Sequence, residues 1–338
     1  MSSYKHLMRV SSKIQDYDVW LTKSVPIADY YIIDEKVYKL YNEQYHYPDN
    51  HLLLRANERT KSWSYLSRII KHLIDQGIKR NDRICVIGGG TIQDVASFIA
   101  SIYKRGIEWV YAPTTLLAQC DSCIGSKTSI NYGRYKNQIG TFYPPRHVYI
   151  NTDYIKTLKK RDIYSGIGEI IKIHLINGKF LHELEKDLEK KDWERIIFRS
   201  LLFKKRYIEL DEYDWNERRI LNYGHTFGHA IESVTNYKVP HGQAVMLGMQ
   251  IANYISWKEG LLSVADAERM NEIMMPYLPR VNLYDIDSNM IREILLKDKK
   301  VSDNKLEMIL TRGPGNMFRH KLNLDKVMDY YNEWLEIV

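Results

Sequence analysis

Along the first part of the chain the apolar residues come in short runs. Further on they recur at helical spacing. Residues 29–34, Asp-Tyr-Tyr-Ile-Ile-Asp, read as a strand that ends at an acid, and 52–54 is a second short apolar run. Trp63 to Gln76 has the period of an amphipathic helix and stops at Gly77. Arg83 to Gly88 is a buried strand that runs straight into Gly89-Gly90, with a helix following from about Ile92 to Tyr103. Trp109–Pro113 and His147–Asn151 are the next strands, and this alternation predicts a parallel α/β sheet. After about residue 155, helical patterns dominate: 161–177, 190–212, 219–235, 242–259, 264–276 and 323–336. A strand-like run, Met308–Thr311, precedes Pro314-Gly315. The pattern divides the chain into an α/β domain over 1–155 and a helical domain over 156–338.

Composition narrows the function classes. A chain of 338 residues can bury two cores, and 44% hydrophobic with 27% charged residues excludes disorder. No run approaches the ~18 apolar residues of a membrane span. Met1–His6 lacks an apolar signal core, which points to the cytoplasm. The net charge of +7 is spread among acids, as in Lys186–Arg195, so it argues for small anionic ligands rather than nucleic acid. Three cysteines, an odd count, fit a reducing compartment. Cys120-Asp-Ser-Cys123 has redox spacing, yet a lone pair of this kind is ordinarily two small buried residues.

The densest chemistry lies in Leu221-Asn-Tyr-Gly-His-Thr-Phe-Gly-His-Ala-Ile-Glu232. His225 and His229 share one helix face, where imidazoles can hold a metal ion or a substrate anion. Such a pair also occurs on exposed helices with no ligand. Gly224 and Gly228 each cost a helix about 1 kcal/mol relative to Ala, which argues for close approach of a backbone or a ligand. His241-Gly242 opens the next segment. Glu169 and Lys172 share a face among Ile170, Ile171 and Ile173. A Glu buried there needs a partner, and a metal is one option. Gly88-Gly89-Gly90 between strand and helix suits a pyrophosphate, although G-x-G-x-x-G is absent. Asp121, Lys127, Lys136 and Asn137 follow Pro113–Leu117. Gly125-Ser-Lys-Thr128 lacks the spacing of a nucleoside-triphosphate loop.

In this order and spacing, these segments resemble the 3-dehydroquinate synthases and, more widely, the sugar-phosphate cyclases. The resemblance runs from about residue 55 to the C-terminus. It rests on Gly88-Gly-Gly-x-x-x-Asp94, Arg105-Gly106, Pro113–Gln119, Asp121, Lys127-Thr128, Lys136-Asn137, Glu169-x-x-Lys172, Leu221–Ala230, His241-Gly242 and Asp298-Lys-Lys300. It implies a Rossmann-like nucleotide-binding α/β domain followed by an all-α metal-binding domain. Glu169, His225 and His241 match metal ligands, for zinc or else cobalt, so His229 turns to the substrate. Asp121, Lys127, Lys172, Lys204, Arg218, Asn222 and His229 match substrate contacts, with Lys300 favoured over Lys299. Lys136 and Asn137 match positions near substrate and cofactor. For NAD the matches are Gly89, Gly90, Asp94, Thr114, Thr115 and Leu117, with Lys127 and Lys136. Glu58 and Lys61 come from Asn57-Glu-Arg-Thr-Lys61, and Asp34 matches the ribose-binding acid. Arg105 matches an arginine that reaches into a neighbouring subunit's phosphate site, which implies a homodimer.

The implied reaction converts 3-deoxy-arabino-heptulosonate 7-phosphate to 3-dehydroquinate and phosphate, a lyase step of the shikimate pathway. NAD takes a hydride and returns it, so no net oxidation occurs. Lys127, Asn137, Asn222, His229 and Arg105 would hold the phosphate. Four positions depart from the family pattern: Asp214 stands for a glutamate, and Asn57, Gln93 and Ser126 stand for glycines. The nearest rival is a cyclase making 2-deoxy-scyllo-inosose or a valiolone. Others are a metal-dependent polyol or glycerol dehydrogenase and a catalytically dead binding homologue. Asn222, Lys204 and Arg218 together favour the carboxylate-bearing heptulosonate.

Overall fold

Buried strands of Val, Ile and Tyr build the first part of the molecule. The computed structural model describes residues 4–133, 135–282, 286–296, 301–302 and 304–337. Its strands up to residue 150 are β1 (Lys5–Val10), β2 (Tyr17–Leu21), β3 (Tyr30–Asp34), β4 (His51–Leu54), β5 (Arg83–Gly88), β6 (Glu108–Pro113), β7 (Ile130–Tyr132), β8 (Tyr135–Ile139) and β9 (His147–Ile150). Helices α1 (Glu35–Tyr45), α2 (Trp63–Asp75) and α3 (Gly90–Ile102) connect them. A 7-stranded sheet has the order β1-β2-β9-β6-β5-β3-β4, while β7 and β8 form a separate hairpin. All pairs from β2 to β4 are parallel, and only β1 runs antiparallel at the edge. Strand β5 is buried on both faces, as a central parallel strand must be. Strand order reverses beside β5, so Asp34, Gly88 and Pro113 end at the carboxyl edge where such sheets take their ligands. Tyrosines fill one flank of this core: Tyr31, Tyr41, Tyr47 and Tyr154 pack with Ile33 and Ile87. Their hydroxyls are satisfied inside, as between Tyr47 and Tyr154 at 3.0 Å.

The later elements are α4 (Lys160–Asn177), α5 (Leu181–Lys190), α6 (Trp193–Leu210), α7 (His225–Val234), α8 (His241–Lys258), α9 (Val264–Glu272), α10 (Ser288–Leu296) and α11 (Leu324–Leu335). Between the last two, β10 (Val301–Ser302), β11 (Lys305–Thr311) and β12 (Met317–Asn323) form a 3-stranded antiparallel sheet. Contacts divide the chain into two units: Met1–Lys159 with Lys204–Asp214, and Lys160–Phe203 with Trp215–Val338. The division falls inside α6. No helix among the described residues is long and apolar enough to cross a membrane.

Backbone geometry subdivides two of the predicted helices. The 219–235 pattern becomes a 3-10 helix over Glu217–Asn222, a left-handed Gly224 at φ 78°, and then α7. The 190–212 pattern starts late, because Lys191 at φ 54° closes α5 before α6 begins. The β1–β2 hairpin, α10 and β12 carried no clear periodic signal, and of the small sheet only Met308–Thr311 was legible.

In the helical unit, three helices meet backbone to backbone. A Cβ on Gly168 of α4 would stand 2.1 Å from the Gly242 carbonyl oxygen, and one on Gly242 1.8 Å from that of Ser165. A Cβ on Gly248 of α8 would stand 1.9 Å from the Gly224 carbonyl oxygen. Gly242 also donates its N–H to Ser165 Oγ at 3.0 Å.

Gly248→Ala is therefore expected to force α7 and α8 apart and cost about 3 kcal/mol or more. An unchanged urea midpoint would contradict this packing. His174 supplies a pH test. Burial lowers its pKa to about 4, and Nδ1 lies 2.9 Å from the Ile170 carbonyl oxygen. The native imidazole stays neutral, whereas the unfolded chain takes up a proton below about pH 6.5. Stability should then fall between pH 6.5 and 4 by up to about 3 kcal/mol. His174→Gln should remove that share of the loss in denaturant titrations across the range.

Candidate active site

The glycine turn comes first in the α/β unit. Gly89 occupies the N-cap position of α3, no side chain caps this end, and Gly90 is the first helical residue. The helix thus starts two residues before the position read from periodicity. A Cβ on Gly89 would meet Thr115 Cγ2 at 2.8 Å. The Thr114 N–H donates to the Gly88 carbonyl oxygen at 3.0 Å. Leu117 leads into a π-helical turn, Ala118–Ser122. Gln93 donates to the Ser122 carbonyl oxygen at 2.7 Å and accepts from Ser122 Oγ, so it clasps this turn to α3. That is the local use of a side chain at a position where the resemblance implies glycine. Asp34 ends β3 and caps α1 by accepting the Lys36 N–H at 2.9 Å. Burial raises its carboxyl pKa.

Five of the sequence candidates join one network. Lys61 Nζ lies 2.5 Å from Asp94 Oδ2 and 2.6 Å from Asn137 Oδ1. Lys136 pairs with Glu58 at 2.9 Å. Asn131, which the sequence did not single out, ties them by donating to Glu58 at 2.7 Å and accepting the Asn137 N–H at 3.1 Å. Asn137 holds φ 53°, a strain asparagine tolerates. Burial raises the Asp94 carboxyl against the pull of Lys61. At Glu58 burial also works upward, but Lys136 and Asn131 outweigh it and lower the pKa. Asn57 accepts the Thr60 N–H at 3.0 Å, which shapes the turn bearing Glu58 and Lys61.

Segment 204–214 adds a second cluster to the same unit. Buried Lys204 reaches Asp121 Oδ1 at 2.9 Å and the Asp121 carbonyl oxygen at 2.7 Å. Lys127 pairs with Asp214 at 2.5 Å. Asp214 stands at φ 61°. Cys120 and Cys123 are buried thiols in no disulfide, and they point at the Leu117 and Gln119 carbonyl oxygens. Burial pushes Cys123 up to about 12, which disfavours its thiolate. Arg105 is exposed after α3 at φ 64°.

The helical unit holds the histidines. Glu169 is buried in α4 and pairs through Oε2 with buried Lys172. Its Oε1 lies 3.9 Å from His225 Nε2 and 3.5 Å from His241 Nε2, yet accepts no hydrogen bond. His225 and His241 are the first residues of α7 and α8, and each adjoins a glycine of the backbone contacts. Nδ1 of His225 faces the Tyr223 carbonyl oxygen at 3.2 Å, and Nδ1 of His241 faces Glu232 Oε2 at 3.0 Å. With protons on Nδ1, two Nε2 lone pairs and one carboxylate oxygen converge in a buried place. Three acceptors fit together there only around a cation, so the set suits a divalent metal with imidazole and carboxylate ligands. His225, His229 and His241 also offer ring nitrogens within 4.8 Å of one another, with His229 the exposed member. Burial, then the charge of Lys172, holds His225 well below its ordinary pKa. Burial opposes charge on His241 too, but Glu232 and Glu169 outweigh it and raise the value.

Arg218 is buried in the 3-10 helix that also carries Asn222. Lys300 lies outside the described residues, with Asp298 and Lys299. Glu232 was the residue most easily missed. It stands at i+7 from His225, so the stripe His225, His229, Glu232 was legible as one helix face.

Comparison with known proteins identifies the family. The chain matches the family description 3-dehydroquinate synthase N-terminal over residues 51–165, and 3-dehydroquinate synthase C-terminal over 166–301. It is 35% identical to a 3-dehydroquinate synthase of Alkaliphilus metalliredigens over 319 residues, covering 90% of each chain. It is 39% identical to one of Dictyoglomus turgidum, covering 82% of this chain and 81% of that protein. A 2-deoxy-scyllo-inosose synthase crystallised with carbaglucose-6-phosphate, NAD+ and Co2+ shares the fold, with a TM-score of 0.85 at 24% identity over 98% of this chain and 99% of that one. So does the 2-epi-5-epi-valiolone synthase of Streptomyces hygroscopicus with NAD+ and Zn2+, with a TM-score of 0.83 at 24% identity over 98% and 100%. Length, identity and the continuity of both matches place the chain in the 3-dehydroquinate synthase family.

Proposed function

We propose that the protein converts 3-deoxy-arabino-heptulosonate 7-phosphate to 3-dehydroquinate and phosphate, as a cytoplasmic, NAD- and metal-dependent lyase. The observation that carries the reading is the buried Glu169 Oε1 facing His225 and His241 without a hydrogen bond, in a chain of this family. Glu169, His225 and His241 would hold zinc or cobalt, with NAD at the glycine turn, as related cyclases carry NAD+ with Co2+ or Zn2+. When bound, the metal supplies Lewis-acid polarisation of a ring hydroxyl, and NAD accepts and returns its hydride.

The chain's own residues bind and orient. Lys172 neutralises Glu169 Oε2 and leaves Oε1 to face the cation. The uncapped N-terminus of α3 and the bare backbone of Gly89 and Gly90 receive a pyrophosphate, with Thr114, Thr115 and Leu117 beside it. Asp34, at the end of β3, takes the ribose hydroxyls. The network of Glu58, Lys61, Asp94 and Lys136 sets the cofactor edge. Asp121, Lys127, Asn137 and Lys204 would contact the substrate, as would Lys172, Arg218, Asn222, His229 and Lys300. Lys127, Asn137, Asn222 and His229 hold the phosphate, with Arg105 supplied by the second copy of a homodimer. Cations held ready in this way stabilise charge as phosphate departs, without reorganising during the reaction.

Purified protein with NAD+ and zinc or cobalt is expected to release phosphate from the heptulosonate phosphate with no net NADH. Release only from glucose 6-phosphate or sedoheptulose 7-phosphate would assign it to another cyclase activity. Metal analysis separates the two ligand sets. Glu169→Gln, His225→Ala and His241→Ala should each lose stoichiometric metal. His229→Ala should keep metal and lose turnover by about 100-fold or more. The reverse pattern for Glu169 and His229 would move the metal to the three histidines.

A further inference from the structure

We propose that Glu232 is a positioning residue for the metal: it fixes the proton and the ring orientation of His241, so that Nε2 stays aimed at Glu169. The proposal rests on the reading of Glu169, His225 and His241 as ligands. His241 Nδ1 and Glu232 Oε2 are 3.0 Å apart, and on the other side of the ring Nε2 lies 3.5 Å from Glu169 Oε1. The Glu232 side chain is only 14% exposed, against 33% for His241, so this pair is shielded more than a surface ion pair.

Geometry places the carboxylate there. His225, His229 and Glu232 occupy i, i+4 and i+7 of α7, a row along one face. Helix α8 meets α7 through Gly248 and Gly224, and its first residue is His241. The two imidazoles are therefore held differently. His225 uses a backbone carbonyl, that of Tyr223, which no side-chain substitution removes. His241 depends on a side chain. A carboxylate on Nδ1–H fixes the tautomer and makes Nε2 a more basic ligand, and such partners typically account for 10–100-fold in metal affinity. Without Glu232 the ring of His241 can rotate and place its proton on the wrong nitrogen.

Zn2+ and Co2+ affinities of the full chain, measured by competition with a chromophoric chelator, test this alongside the visible Co2+ spectrum. Glu232→Ala should weaken binding about 10–100-fold and alter the Co2+ bands, at an unchanged melting temperature of the metal-free protein. Glu232→Gln should fall between, because its amide oxygen still accepts from Nδ1 but carries no charge. Wild-type affinity and spectrum in both variants would overturn the proposal. So would equal losses in Ala and Gln that track a fall in melting temperature. If Glu232→Ala does not fold, the Gln variant alone decides by the same two readouts. A wild-type chain that binds neither ion would overturn the metal reading itself, and His225→Ala shows what that failure looks like.

Discussion

The helical unit depends on bare backbone meeting bare backbone. Each proposed metal ligand is the neighbour in sequence of a glycine at such a contact: Glu169 follows Gly168, His225 follows Gly224, and His241 precedes Gly242. Three side chains from α4, α7 and α8 converge because nothing larger than hydrogen separates those helices. Glycine inside a helix costs about 1 kcal/mol relative to Ala, and close packing offsets that cost. At this convergence Glu169 keeps one buried oxygen without a hydrogen bond. A buried carboxylate so placed is unfavourable unless a cation meets it. Lys172 meets one oxygen and two imidazoles turn toward the other.

The α/β unit solves a different problem with a similar device. Glycines let the backbone of the β5–α3 turn lie against Thr115 and leave the helix end uncapped. Around this turn, ions are paired rather than converging: Lys61 with Asp94, Lys136 with Glu58, Lys127 with Asp214. Two residues that stand where the resemblance implies glycine find local work. Gln93 clasps the turn after β6, and Asn57 shapes the turn before α2. The structure shows no such hydrogen bond for Ser126, whose hydroxyl is buried without a partner.

The alternation of strand and helix, the parallel sheet and the helical second part were legible because periods of two and 3.6 survive in the sequence. Short or exposed elements were not. The edge hairpin β1–β2 and strand β12 have mixed burial, so their alternation is diluted. The break at Gly224 was hidden by helical spacing on both sides of it. Only a positive φ, which a sequence does not display, makes His225 the first residue of its helix.

Residue identity alone determined the chemistry on offer: histidines and a glutamate beside glycines, lysines in a polar loop, a glycine turn after a buried strand. Spacing within a helix pointed to His225 with His229, since neighbours along one face are all that local geometry can relate. Partners from other helices could not be found that way. Tertiary structure brought Glu169 and His241 to His225, left His229 exposed beside them, and gave His241 its carboxylate from Glu232. It did so because helix contacts at glycine, rather than any periodicity in the chain, decide which side chains share a buried point.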